Sequence, residues 1–210
     1  MGKRGINLRE NGVFLLFLLG MAIYYGWRMF ALVPWYDELY TYYYFISRGP
    51  VYAAIHWPLP NNHVGYSVLS ACLTILGSPA VALRGVSYLC SLFSLTLLYR
   101  IGKKRIKGAG ALIPVFLFAG ISIVNQLAVQ GRGYALVTFC YLLAVYELQK
   151  MAEEEKEWLS GYILFAGALL LALWAIPSSV YMVLPVCIAG GLYFLLSGKK
   201  KKLLHLILAS

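Results

Sequence analysis

The chain has 210 residues, of which 61% are hydrophobic and 12% charged, with a mean hydropathy of +0.73. Those proportions exclude a water-soluble domain. The net charge of +10 invites a nucleic-acid reading, but the distribution of the charge along apolar segments assigns it to membrane topology and anionic lipid instead.

A helical span needs roughly 20 apolar residues, and the apolar stretches are long and lack strand alternation, so the predicted fold is all-α and polytopic rather than a barrel. The chain reads as one module over 1–210. A first span covers 12–33, an external loop with interfacial helices covers 34–79, five further spans fall within 80–202, and 203–210 begins another apolar segment. The five are placed at about 80–99, 109–126, 133–149, 158–176 and 179–197. Lys3, Arg4 and Arg9 precede the first apolar run, which continues to Pro34 without a small-residue cleavage site and so reads as an uncleaved signal anchor. The apolar stretch from Asn62 to Leu76 is too short for a span and reads as a re-entrant or interfacial helix.

Basic residues gather at the amino terminus, in Arg100 to Lys107, around Lys150 and Lys156, and in Lys199 to Lys202. Placing all four clusters in the cytoplasm lets the spans alternate without contradiction. Every lysine is then cytoplasmic, and the external cations are Arg28, Arg48, Arg84 and Arg132. Asp37 and Glu38 become the only external acids, since Glu10, Glu147, Glu153, Glu154, Glu155 and Glu157 fall on the other side. Arginine forks bind phosphate oxygens in a planar, two-point fashion that lysine lacks, so external arginines beside a carboxylate pair suit a phosphorylated lipid.

The loop from Pro34 to His63 is long and rich in tyrosine, as structured functional loops are. Helical spacing puts Asp37, Tyr40 and Tyr44 on one face and Glu38, Thr41 and Phe45 on the next, in an interfacial helix ended by Gly49 and Pro50. The tyrosines alone fit an interfacial belt. For the acids two readings stand side by side. They are a solvated loop pair, or a catalytic pair in which repulsion demands a raised pKa or a cationic neighbour. His56 and His63 could join Asp37 and Glu38 around a divalent metal, although the spacing matches no ligand motif and a hydrogen-bonding role competes. Arg84 and Arg132 sit at one depth, where snorkelling and phosphate binding are the alternatives. Cys72, Cys90, Cys140 and Cys187 lie in apolar segments without ligand spacing, and His205 reads as structural.

The ordered series of an acidic pair after the first span, then NNHVGYSVLSACLTILG, ALRGVSYLCSLFSLTLLYRIGKKR and GRGYALVTFCYLLAVYEL, resembles the C-type (GT-C) membrane glycosyltransferases. It is similar above all to the protein O-mannosyltransferase and aminoarabinose transferase branch with its RgtA/B/C/D-like members, over about residues 10–200. The resemblance implies a polyprenyl-phosphate-linked sugar donor, a lipid, glycan or protein acceptor, and transfer on the extracytoplasmic face of a bacterial or archaeal plasma membrane. It implies Asp37 as the catalytic base with Glu38 as its paired acid, and Asn62, His63, Arg84, Arg132 and Tyr134 as donor- or substrate-binding residues, beside which His56 in the same loop is a further candidate. Val64 stands where the family's Asn-His-Pro element has proline, and Gly85 and Val86 depart from its Ala-Arg-Leu-Pro segment. Family members are longer, so the resemblance makes this chain an amino-terminal module. The competing expectation is a non-catalytic carrier-binding or flippase-like protein, which should show internal repeats and ionisable groups at mid-membrane.

Overall fold

The structure, a computed structural model, describes residues 8–56, 62–154 and 159–210. The elements run α1 (Leu8–Ala31), α2 (Tyr36–Tyr44), α3 (Pro50–Ile55), α4 (Val64–Cys72), α5 (Pro79–Arg105), α6 (Ile113–Gly120), α7 (Ser122–Leu127), α8 (Tyr134–Glu153), α9 (Leu159–Ala175), α10 (Val180–Leu196) and α11 (Lys200–Leu208), with short 3-10 turns between some of them. Among the described residues there is no strand, and the chain is an all-α integral membrane protein.

The stretches 11–31, 79–105, 134–153 and 177–196 are helical, long and apolar enough to cross a bilayer, while Val64–Leu76, Gly108–Gly120 and Leu159–Ala175 are shorter apolar helices. The α1 helix leaves Leu16, Ile23, Trp27 and Phe30 exposed, the surface that lipid covers. Its other face packs on α5, where Phe14 stacks on Tyr99 with centroids 4.0 Å apart. A second core, around Leu136, Phe165 and Phe194, joins α8, α9 and α10. Where α4 crosses α9, Gly65 lies so close that a Cβ would sit 3.1 Å from Ala175 N, the small-residue contact that lets membrane helices approach.

One expected span differs. Residues 109–126 do not form a continuous helix: α6 stops at Gly120, Ile121 is extended, and α7 starts at Ser122. The break frees carbonyls that lipid could not satisfy, and Asn125 repairs it by donating from Nδ2 to Ala119 O and Ile121 O. Within 34–79, the helix expected to run to Gly49 and Pro50 ends earlier, at Tyr44. After α2 the chain makes a 3-10 turn, passes Gly49 at φ +93°, and restarts at Pro50 as α3. The positive φ is why glycine serves there.

The helix ends sort the charges. At one end Lys104 and Arg105 pair with Glu153 at 3.2 and 3.4 Å. Lys199 and Lys202 donate to the last carbonyls of α8, Ala152 O and Met151 O, both at 2.7 Å, so they cap that helix as well as carrying charge. His205 packs edge-on against Tyr162 at 5.3 Å, a packing contact. At the opposite end lie the close of α1, all of α2, and the starts of α5 and α8, carrying Arg28, Asp37, Glu38, Arg84 and Arg132.

Candidate active site

Asp37 and Glu38 occupy the first turn of α2, where the exposed amides favour acidic side chains. Glu38 reaches back to cap its own helix, accepting from Trp35 N–H at 2.9 Å through Oε2. The same carboxylate receives the fork of Arg84, Nε to Oε1 at 2.8 Å and Nη2 to Oε2 at 2.9 Å. Gly131 N–H completes the set at 2.6 Å to Oε1. Glu38 is 1% and Arg84 3% exposed. Arg84 spends its remaining terminal nitrogen on α1, donating from Nη1 to Met29 O at 3.0 Å and Leu32 O at 2.8 Å. One buried ion pair therefore ties α1, α2, α5 and the loop before α8 into a single knot. The cationic neighbour that two adjacent acids require is Arg84, and Glu38 is the acid it serves.

The loop Gln130–Gly133 is held from below. Ser87 Oγ donates to Gln130 O at 2.6 Å, and Tyr66 donates to Leu83 O at 2.6 Å with its hydroxyl 3.1 Å from Ser87. Gly131 admits no side chain, since a Cβ would lie 2.5 Å from Leu83 Cδ1 and 3.1 Å from Glu38 Oε1. This loop aims Arg132, 6% exposed, at Thr41 Oγ1 (3.2 Å from Nη1) and at His63 Nε2 (3.3 Å from Nη2). Thr41 in turn donates to Asp37 O at 2.8 Å.

His63 precedes α4 and accepts Gly133 N–H at Nδ1, 2.9 Å away, with Tyr134 packed edge-on at 5.3 Å. Burial first, and Arg132 second, lower its pKa from 6.5 to about 4. The ring is thus neutral near pH 7, and with Nδ1 accepting, the proton sits on Nε2. Arg132 Nη2 and His63 Nε2 then stand as neighbouring donors. The sign of the linkage follows: between about pH 4 and pH 6.5 the unfolded chain binds the proton that the fold refuses. Stability contributed by neutral His63 is therefore complete above pH 6.5 and lost as pH falls toward 4. The apparent melting temperature should drop across that window, and His63→Gln should flatten the drop. An unchanged slope in His63→Gln would assign it to other groups.

The remaining expected site residues separate. Asn62 is a buried brace, donating from Nδ2 to Ala53 O at 3.0 Å and accepting from Ser67 Oγ at 2.7 Å, which ties α3 to α4 directly before His63. His56 closes α3 and stacks on Tyr52 at 4.4 Å; no hydrogen bond or ion pair joins it to Glu38, Arg84 or Arg132 among the described residues. Asp37 is exposed, and its carboxylate makes no hydrogen bond or ion pair among the described residues. Among those residues no three His, Cys, Asp or Glu side chains form a metal-holding cluster. Glu38 is committed to Arg84 and His63 Nδ1 to Gly133, so the four candidate ligands do not fit a shared divalent ion. Sequence reading missed Tyr66 and Ser87, whose signal was a polar group inside an apolar stretch.

Fold and site together define a polytopic helical membrane protein with an exposed carboxylate, a buried ion pair and a second arginine at one end. The chain belongs to the dolichyl-phosphate-mannose-protein mannosyltransferase family, whose family model matches residues 63–209. It is accordingly a C-type membrane glycosyltransferase in general kind. No curated protein and no solved structure matches it. The matched stretch holds His63, Arg84, Arg132 and Tyr134, while Asp37 and Glu38 precede it.

Proposed function

We propose that this chain is a transferase module that moves a sugar from a polyprenyl-phosphate-linked donor to an acceptor hydroxyl, with Asp37 as general base. One observation carries the reading: of two adjacent carboxylates, Glu38 is buried with four donors on it, while Asp37 is exposed and bound to nothing among the described residues. Such a division frees one acid for proton transfer while the other fixes its position. As the acceptor oxygen bonds to the anomeric carbon, its proton passes to Asp37, and the bond from that carbon to the phosphate oxygen breaks with the electron pair leaving on phosphate. Direct displacement inverts the anomeric centre. Arg132, with the Nε2–H of neutral His63 beside it, meets the charge that develops on the phosphate. Tyr134 fixes the face of His63, Asn62 places α4, and the Glu38–Arg84 pair positions α2; His56 takes no part in the chemistry. Radiolabelled transfer by membranes carrying Asp37→Asn, with donor binding measured separately, is the test. Loss of transfer with binding retained supports the base, and parental turnover overturns it.

The segregation of described lysines from Asp37, Glu38, Arg84 and Arg132 supports placing the site on the extracytoplasmic face, with the amino terminus inside. Cys72 is exposed, so the check starts from Cys72→Ser. In intact cells a cysteine replacing the exposed Ser47 should react with an impermeant maleimide, and one replacing Lys104 should react only after permeabilisation. The reverse pattern would invert the orientation.

A further inference from the structure

A cavity of about 440 Å³ lies on the α1–α7 side of the Glu38–Arg84 pair, and neither Asp37 nor Arg132 lines it. Its walls carry Arg28, Trp35, Asn125, Gln126 and Gln130 together with the buried ion pair. Its charge is lopsided. Among the described residues Glu38 is the one acid on the wall, and the Arg84 fork already neutralises it, so Arg28 leaves the cavity net positive. Arg28 is half-buried and donates from Nη1 to Asn125 O. Its Nε and Nη2 have no hydrogen-bond partner among the described residues, and its guanidinium lies 5.4 Å from the Tyr24 ring centroid, a cation–π contact that helps hold it in place. Asn125 is orientated by its two donations to Ala119 O and Ile121 O, and its Oδ1 is buried without an acceptor's partner among the described residues. A preset arginine fork with carboxamides around it, in a cavity without free anionic charge, is built for a phosphate with hydroxyl-bearing neighbours. Trp27, in the last turns of α1, and Val33, just beyond its end, are highly exposed at the lipid-facing surface, so the ligand can bring an acyl or prenyl chain with it.

We propose that this cavity is an anion subsite for a lipid-borne phosphate, gripped by Arg28 with Gln126 and Gln130 beside it, and distinct from the Arg132–His63 pair. It deepens the transferase reading by giving the phosphate of a lipid substrate a seat at the end of α1, yet it is read by binding alone. An Asp37→Asn variant that still transfers sugar would therefore sink the base assignment and leave this subsite standing.

The experiment titrates the purified full chain in detergent with polyprenyl monophosphate, phosphatidylglycerol or inorganic phosphate, following tryptophan fluorescence, since Trp35 lines the cavity. Arg28→Gln should weaken binding about tenfold or more, and Arg28→Lys should fall between it and the parent because charge remains and the fork is lost. Binding of the polyprenyl phosphate alone assigns the cavity to a polyprenyl-phosphate lipid seated apart from the donor phosphate at Arg132; equal binding of phosphatidylglycerol assigns it to bulk anionic lipid. Comparable binding of inorganic phosphate without a chain would retain the anion site and remove the lipid. Should Arg28→Gln not fold, Gln126→Leu gives the same reading, with a smaller loss expected. Parental affinity for all three anions in the variants overturns the proposal.

Discussion

Asp37→Asn is expected to lower kcat for sugar transfer by at least about 10²-fold while leaving donor affinity near the parental value. Asparagine matches aspartate in size and keeps a hydrogen-bonding group in place, but it cannot take the acceptor's proton. The loss therefore belongs to the transition state and should appear in kcat and kcat/KM alike. The structure makes the test clean. Asp37 is exposed and its carboxylate is bound to nothing among the described residues, so its replacement should cost no more than the first-turn charge is worth, about 1 kcal/mol or less. A melting temperature equal to the parent's, with transfer lost, isolates the chemistry. If the parent protein binds the donor and transfers nothing to any acceptor, the carrier-binding alternative gains instead.

The residue types at this end of the protein are legible in the sequence and their pairing is not, for physical reasons. Spans, loop and charge sorting follow from hydropathy and from the cost of moving charge across a bilayer, which act on local sequence. The pairing of charges does not. Arg84 and Glu38 are separated by 46 positions and Gly131 and Glu38 by 93, and nothing in residue type says which of two arginines takes which acid. Snorkelling and phosphate binding were the alternatives for Arg84, and its fork is instead folded onto Glu38 and the end of α1. Thr41 and Gly131 lay within sequence stretches already singled out, yet their roles depend on a loop held by Ser87 from another helix. The break at Ile121 was equally hidden, because Gly120 is common in membrane helices and only the Asn125 side chain makes the interruption tolerable.

Removing one member of the Glu38–Arg84 pair should be the most destabilising single change at this end of the protein. Arg84→Leu leaves a desolvated carboxylate with only two backbone amides, and it also orphans Met29 O and Leu32 O. Breaking a buried pair in this way costs about 3–5 kcal/mol. Glu38→Leu strands the guanidinium among those same carbonyls and removes the cap of α2. The double variant should be less destabilised than the sum of the two, because neither charge is then left alone. Arg84→Lys keeps the charge and cannot make the fork, so it should fall between parent and Arg84→Leu. A phosphate-binding Arg84 predicts the opposite ordering: lysine would lose donor affinity while the melting temperature held. The two roles separate on one measurement each, thermal unfolding in detergent and donor titration. A strictly additive double variant, with Arg84→Lys stable and deficient in binding, would move Arg84 from the scaffold to the substrate. Coupling with a lowered melting temperature keeps it where its four hydrogen bonds put it, holding α2 so that Asp37 faces outward.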